Sequence, residues 1–284
     1  MDAIITKASG QKEPFVRSKL HQSLAKAGAS AELAAEIIDD IENNLVDGMT
    51  TKAIYKRAHK LLSQSAKPVA GRYHLKNGIM ELGPSGFPFE RYVSEILAHH
   101  GYTVQVGKII DGKCVKHEVD VIAEKDMHHF MIECKYHNQP GMVCDVKIPL
   151  YIQARFKDIE AQWQLLAGHH EKFHQGWVVT NTRFTKDALT YGNCAGLRLV
   201  SLDHPRSGNL REMIESSGLY PLTCLTALSH VEKKILLERK IVLCREICHA
   251  PALLEELGIP PNRRKAILTE ANQLCHNLIE HGNH

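Results

Sequence analysis

The chain has 284 residues, of which 44% are hydrophobic and 24% charged, and its formal net charge is +3. These proportions are ordinary for globular proteins and exclude disordered and fibrous classes, and so mild a charge does not by itself indicate a nucleic-acid partner. No apolar run approaches the ~18 residues of a membrane span. The N-terminus lacks a secretion-signal pattern, and the eight cysteines show no small-scaffold disulfide framework. We therefore expect a soluble, cytoplasmic protein.

The first segment of the chain predicts a small hairpin followed by helices. A short β-like run at residues 4–7 precedes a group of turn residues. Two stretches with helical apolar spacing follow, the first ending at Gly28 and the second at about Leu45. Thr50 and Thr51 are typical of the start of a third helix.

This segment resembles an ATP-cone domain, a family that binds ATP or dATP as a regulatory ligand. The resemblance rests on the order Ile5-Thr6-Lys7-x-x-Gly10-x-x-Glu13-Pro14-Phe15-x-x-x-Lys19-Leu20. It implies that Lys7 and Lys19 meet the triphosphate as point charges and that Thr51 offers a hydroxyl at a helix N-terminus. It also implies that Glu13 lies near the nucleotide and that Ile5 adds backbone and apolar contact. The alternative is that these lysines simply solvate a small α/β module.

The middle segment predicts an α/β sandwich around a central sheet. An Asp-Gly pair at residues 111–112 indicates a hairpin turn between two strands. Helices are predicted over residues 87–100, 152–166 and 185–191, and strands over 102–106, 119–123, 130–136, 177–180 and 197–202.

Three residues of this segment have the character of a phosphodiester-cleaving site. Residues two apart on a strand share a face, so Glu133 and Lys135 point the same way while Cys134 points oppositely. If the strand of Asp120 pairs alongside, two carboxylates and one ammonium group converge. Carboxylate oxygens suit Mg²⁺, and a lysine beside the metal can orient water or stabilise the charge of the transition state.

This constellation resembles the PD-(D/E)xK nuclease superfamily and, more closely, its Mrr-like restriction endonuclease branch. The stretches that carry the resemblance are Gly86-Phe87-Pro88-Phe89-Glu90, His117-Glu118-Val119-Asp120-Val121-Ile122, Ile132-Glu133-Cys134-Lys135-Tyr136 and Gly176-Trp177-Val178-Val179-Thr180-Asn181. The resemblance implies that Asp120 and Glu133 hold the metal, that Lys135 acts on water or the transition state, and that Glu90 is a supporting carboxylate. Val119 departs from the superfamily pattern, which has proline there. The alternatives are a surface charge pattern with no task and a nuclease-fold binding module without turnover.

The last segment predicts helices over residues 222–244, 252–257 and 262–278. The turn at Leu257-Gly258-Ile259 faintly resembles a helix–hairpin–helix element, which would place backbone amides near a DNA phosphate. An ordinary helical bundle with a basic turn is the favoured interpretation.

The sequence thus predicts an α/β (α+β) multi-domain protein. Its expected parts are an ATP-cone-like regulatory domain at 1–82, a restriction-endonuclease-like domain at 83–205 and a helical module at 206–284. The expected activity is DNA hydrolysis with Mg²⁺ or Mn²⁺, regulated by ATP or dATP. The expected partners are DNA and a purine nucleotide, with no membrane, and a homo-oligomer is left open. The alternatives are an inert nucleotide-sensing DNA-binding regulator and a protein whose assembly responds to nucleotide.

Overall fold

A computed structural model describes residues 3–165 and 173–276 of the chain. The chain divides into two compact units. The first unit is discontinuous, because it combines the residues up to Gly78 with those from Tyr220 onward, and the second runs from Ile79 to Leu219. The structure therefore groups residues 206–219 with the central unit.

The first unit begins with an antiparallel hairpin and a set of capped helices. Ser30 Oγ accepts from the N–H of Leu33, and Thr50 Oγ1 accepts from the N–H of Ala53, so each hydroxyl satisfies an otherwise unpaired amide at a helix start. Apolar residues at helical spacing on these helices form one buried cluster. The elements are β1 (Ile4–Thr6), β2 (Lys12–Pro14), α1 (Arg17–Lys26), α2 (Ala31–Asn43), α3 (Thr51–Ser65) and α4 (Lys67–Met80).

The second unit is a sheet covered by helices. In the described residues the strand order is β3-β4-β5-β7-β9, antiparallel from β3 to β5 and parallel from β5 to β9. A separate small parallel pair joins β6 to β8. The elements are α5 (Phe87–His99), β3 (Thr103–Asp111), β4 (Lys116–Lys125), β5 (His128–Lys135), β6 (Val143–Cys144), α6 (Lys147–Trp163), β7 (Phe173–Thr180), β8 (Arg183–Phe184), α7 (Lys186–Cys194), β9 (Arg198–Val200) and α8 (Leu210–Ser217).

The C-terminal residues complete the first unit by packing on α4. Thr223 Oγ1 donates to the carbonyl of Gly78 at 2.7 Å. A Cβ at Gly71 would lie 3.2 Å from the carbonyl oxygen of Cys224, so glycine permits this close approach. The elements are a 3₁₀ turn (Leu222–Cys224), α9 (His230–Glu238), α10 (Cys244–His249), α11 (Ala252–Glu256) and α12 (Pro261–His276).

The mixed α/β multi-domain class expected from the sequence is confirmed, with differences in several elements. Helices α4 and α8 and the short strands β6 and β8 were not predicted. The helical pattern over residues 222–244 is broken by the cap at Ser229 and by Lys240, which has a φ of 65°. Helix α6 starts five residues earlier than expected. The expected ends of two helices, Leu166 and residues 277–278, lie outside the described residues.

None of the helices that the structure describes is long and apolar enough to cross a lipid bilayer.

Candidate active site

Asp120 and Glu133 are neighbours across two antiparallel strands. The register pairs Val121 of β4 with Ile132 of β5, which sets Asp120, one residue earlier, opposite Glu133, one residue later. Side chains opposite each other in such a pair share one face of the sheet. Asp120 Oδ2 also accepts a hydrogen bond from the N–H of Cys134 at 2.7 Å, which turns its carboxylate toward β5. The two carboxylates predicted to converge therefore do so.

Lys135 ends β5 and lies on the same face as Glu133. Its charge acts on both Asp120 and Glu133. The strand end is fixed by its neighbour β7, because Thr180 Oγ1 donates to the carbonyl of Lys135 at 2.7 Å. The ammonium group is thus carried by a paired strand rather than by a loop.

Glu90 reaches the same group of charges from helix α5. It lies in the first turn of that helix, and a Cβ at Gly86 would be only 3.1 Å from its Oε1. Burial raises the pKa of Glu90 to about 7, and the negative charges of Asp120, Glu118 and Glu133 add to the shift. The structure therefore gathers all four residues predicted for catalysis: Glu90, Asp120, Glu133 and Lys135.

Arg155 is a member of this cluster that the sequence reasoning missed. Its guanidinium Nη1 donates to Glu133 Oε2 at 2.6 Å, and its Nη2 donates to the carbonyl of Glu118. It lies on α6 between Ile152 and Ile159, which are buried. An arginine at helical spacing within an apolar stripe is the signal that could have identified it.

The carboxylates of this cluster hold their protons more tightly than usual. Burial raises the pKa of Glu133 to about 7, repulsion from Asp120 adds to the rise, and Arg155 opposes it. Burial also raises the pKa of Asp120, against the hydrogen bond from Cys134. Like charges held together in a partly desolvated place are costly without a compensating cation.

The donor set fits a hard divalent cation that keeps much of its hydration. Among the residues that the structure describes, no three His, Cys, Asp or Glu side chains converge closely enough to hold a metal by themselves. Mg²⁺ does not need such a cage, since it commonly binds through one or two carboxylates together with waters and substrate phosphate oxygens. Asp120 and Glu133 would hold it, because burial, which raises the pKa of both groups, makes their negative charges costly, and a cation would offset that cost.

A second group of charges lies on the hairpin of the first unit. Glu13 of β2 contacts Lys7 Nζ at 2.6 Å and Lys19 Nζ at 3.4 Å. These contacts, that of Lys7 first, hold the pKa of Glu13 below its usual value. Two ammonium groups held around one carboxylate form a place where an anionic phosphate chain could bind.

The other two residues predicted to contact the nucleotide, Ile5 and Thr51, lie next to this group of charges. Ile5 is paired with Glu13 in the hairpin, and its side chain is buried in the core, so the apolar contact with nucleotide expected from it is not available from this side chain. Thr51 is the first residue of α3, and the preceding Thr50 forms a bridge to Thr6 of β1. The N-terminus of helix α3, which favours negative charge, therefore lies beside the hairpin.

Three family models match this chain along its length. Residues 3–75 match the ATP cone domain, residues 83–204 match a restriction endonuclease model, and residues 220–275 match the model described as AF1548-like, C-terminal.

Two proteins of similar sequence are described as uncharacterised or of unknown function. An uncharacterised protein of Archaeoglobus fulgidus is 33% identical over 186 residues, which are 64% of this chain and 99% of that protein. The crystal structure of AF1548, a protein of unknown function, is 32% identical, with a TM-score of 0.54 over 67% of this chain and 98% of that one. The MspJI restriction endonuclease, solved with a 27-mer oligonucleotide, is a weak match at 15% identity and a TM-score of 0.31, covering 59% of this chain and 40% of MspJI.

The chain therefore belongs to the same family as the AF1548 protein, and it joins an ATP cone domain to an Mrr-like restriction endonuclease domain and an AF1548-like C-terminal domain.

Proposed function

We propose that this protein is a cytoplasmic DNA endonuclease that hydrolyses phosphodiester bonds with Mg²⁺ or Mn²⁺ and responds to ATP or dATP. The observation that carries the proposal is the pairing of Asp120 with Glu133 across β4 and β5, with Lys135 on the same face. Two carboxylates and an ammonium group on adjacent strands provide a cation site and a positive charge beside it.

Each residue of the cluster has a distinct task in this proposal. When bound between Asp120 and Glu133, the cation supplies Lewis-acid activation of water and offsets charge on the scissile phosphate. Lys135 orients the attacking water and stabilises the negative charge that develops on the phosphate. Glu90, whose pKa is raised to about 7, exchanges a proton near neutral pH and supports the site from α5.

The nucleotide response is proposed for the charges around Glu13. The oxygens of a triphosphate would replace the carboxylate of Glu13 as the partners of Lys7 and Lys19. Thr51 at the helix start and the backbone of Ile5 would lie beside the bound phosphates. The chain leaves the nucleotide-binding unit at Gly78 and returns to it at Tyr220, so the nuclease unit is tethered at both ends. A nucleotide that binds two arrangements of the protein unequally would shift the nuclease between them.

Cleavage of plasmid and linear DNA tests this proposal directly. Wild type, Asp120→Asn and Lys135→Ala are compared with Mg²⁺ or Mn²⁺, with and without ATP or dATP. We expect both variants to lose about 100-fold or more of the cleavage rate. Lys186→Ala is the matched control, because Lys186 is an exposed lysine of the same unit, and it should cut at the wild-type rate.

An inert, nucleotide-sensing DNA-binding regulator is the second candidate. The ion pair between Arg155 and Glu133 favours it, because a guanidinium already neutralises one of the two carboxylates. This candidate predicts DNA binding that changes with ATP or dATP and no cutting by folded wild type on unmodified or methylated DNA. Binding without cutting would replace the endonuclease proposal with this one.

A further inference from the structure

Arg155 forms a hydrogen bond with one carboxylate oxygen of Glu133, Oε2, and leaves the other oxygen, Oε1, available to a ligand. The guanidinium Nη1 donates to Oε2 at 2.6 Å, and the side chains of the two residues are only 11% and 20% exposed. Because Asp120 lies opposite Glu133 across the strand pair, a cation held by both carboxylates would meet Glu133 through Oε1.

We propose that Arg155 is a positioning residue that restricts Glu133 to a single-oxygen contact and thereby makes the site prefer Mg²⁺ and Mn²⁺ over Ca²⁺. This inference rests on the proposed function, since it requires a divalent cation at Asp120 and Glu133.

The guanidinium is anchored on several sides. Its Nη2 donates to the backbone carbonyl of Glu118 on β4, while Nη1 holds Glu133 on β5. It also lies over the ring of Tyr151, 5.4 Å from the ring centroid. Arg155 therefore links the two strands that carry the carboxylates, and a side chain with three contacts is not free to release Glu133 readily.

The contacts of Arg155 bear on the choice of metal because the cations differ in geometry. Ca²⁺ takes six to eight oxygen ligands in a flexible shell and often binds a carboxylate through both oxygens. Mg²⁺ is smaller and demands near-octahedral geometry, which the narrow angle between the two oxygens of a single carboxylate fits poorly. A Glu133 whose Oε2 is already committed to Arg155 suits the smaller ion and penalises Ca²⁺.

The test is the ratio of Ca²⁺ to Mn²⁺ dissociation constants, measured by calorimetry on the full chain without DNA. Removing Arg155 also removes a positive charge and changes the protonation of Glu133, but both effects act alike on two divalent ions and cancel in the ratio. We expect Arg155→Ala to lower the ratio about tenfold. Arg155→Lys, which keeps the charge and one donor, should stay near the wild-type ratio. Arg155→Met serves the same purpose as alanine if Arg155→Ala does not fold.

The outcomes separate this inference from the proposed function. If wild type binds Mn²⁺, Asp120→Asn does not, and the ratio is unchanged in Arg155→Ala and Arg155→Met, then a cation site exists and the role given to Arg155 is wrong. If wild type binds neither ion, or Asp120→Asn binds as well as wild type, the cation site itself is wrong and this inference is overturned with it.

Discussion

Asp120 Oδ2 accepts a hydrogen bond from the backbone N–H of Cys134 at 2.7 Å. This contact crosses from β4 to β5 and fixes the direction of the Asp120 carboxylate before any ligand arrives. Glu133 is fixed in a similar way, because its Oε2 is held by Arg155. The two carboxylates are therefore preorganised by the protein, which is the condition for a site that works without rearrangement.

Replacing Asp120 by asparagine should separate the charge of this residue from its shape. The amide oxygen of asparagine can still accept from Cys134, so the fold should be kept. The charge of Asp120 contributes to the raised pKa values of both Glu90 and Glu133. We therefore expect Asp120→Asn to melt at a higher temperature than wild type in EDTA at pH 8 and to bind Mn²⁺ about 100-fold more weakly. A lower melting temperature in EDTA would show that the carboxylate stabilises the metal-free fold.

The pH dependence of stability follows from the same carboxylates. The pKa values of Glu90 and Glu133 are raised to about 7 in the folded protein from an ordinary 4.5. Between these pH values the folded state binds more protons than the unfolded state, so the contribution of these groups to stability falls as pH rises from about 4.5 to about 7 and is level above. Thermal melting of wild type across this range, compared with Glu90→Gln and Glu133→Gln, measures it. The melting temperature of each variant should fall less steeply with rising pH than that of wild type. An unchanged slope in both variants would contradict the prediction.

Binding of a divalent cation should restore the stability that the protein loses as the pH rises. At pH 8 the carboxylates are ionised and repel one another, whereas at pH 5.5 a cation must first displace protons. We expect the rise in melting temperature caused by Mg²⁺ to be larger at pH 8 than at pH 5.5. Asp120→Asn is the control, and it should show no such rise at either pH. An equal rise at both pH values would place the cation elsewhere on the protein.

The central site could be predicted from the sequence because strands obey a simple alternation. Glu133 and Lys135 are two residues apart, so their shared face follows from the period of a β-strand. The pairing with Asp120 needed only that two apolar runs joined by a short polar turn form a hairpin, and the structure closes that turn with Asp126 and Met127, both at positive φ. These inferences depend on local geometry alone.

Arg155 could not be inferred in this way because its contact is tertiary. It is separated from Glu133 by 22 residues and by a strand and helix start whose directions the sequence does not fix. Only its place between Ile152 and Ile159 indicated that a charged group faces the interior. A buried arginine needs a partner, but the sequence does not say which carboxylate provides it.

Helix α4 was not predicted because several of its own residues disfavour a helix. Pro68 is tolerated in a first turn, but Gly71 and Gly78 each cost roughly 1 kcal/mol relative to alanine. The structure explains them, since a Cβ at Gly78 would lie 2.7 Å from Cys224 Sγ. The C-terminal residues pack so closely on α4 that these positions require glycine. The sequence of α4 alone does not indicate which residues pack against it.

Glu270 should be essential for the stability of the C-terminal part of the first unit. Its side chain is 1% exposed, and it accepts from the N–H and the hydroxyl of Thr226 and from the N–H of Ala227. Glu270→Gln replaces one acceptor oxygen by a donor that faces an N–H. We expect a loss of about 1–3 kcal/mol in the free energy of unfolding, measured by urea denaturation. Glu255→Gln, at a carboxylate that is 73% exposed, should change it by less than about 0.5 kcal/mol, and equal effects of the two variants would contradict the assignment.

The nucleotide site can be tested by graded loss of its two lysines. Lys7 lies 2.6 Å from Glu13 and Lys19 lies 3.4 Å from it, so Lys7 is held more tightly at the centre of the charge cluster. We expect Lys7→Ala to weaken ATP and dATP binding by at least about tenfold, since a hydrogen bond to a charged group contributes roughly 1.5–3 kcal/mol. Lys19→Ala should have a smaller effect, and Lys26→Ala, an exposed lysine at the end of the same helix as Lys19, should have none. Calorimetric titration with each nucleotide measures all three variants. Equal affinities in wild type and Lys7→Ala would mean that these lysines only solvate the hairpin, and a nucleotide response of the nuclease would then have to arise elsewhere in the chain.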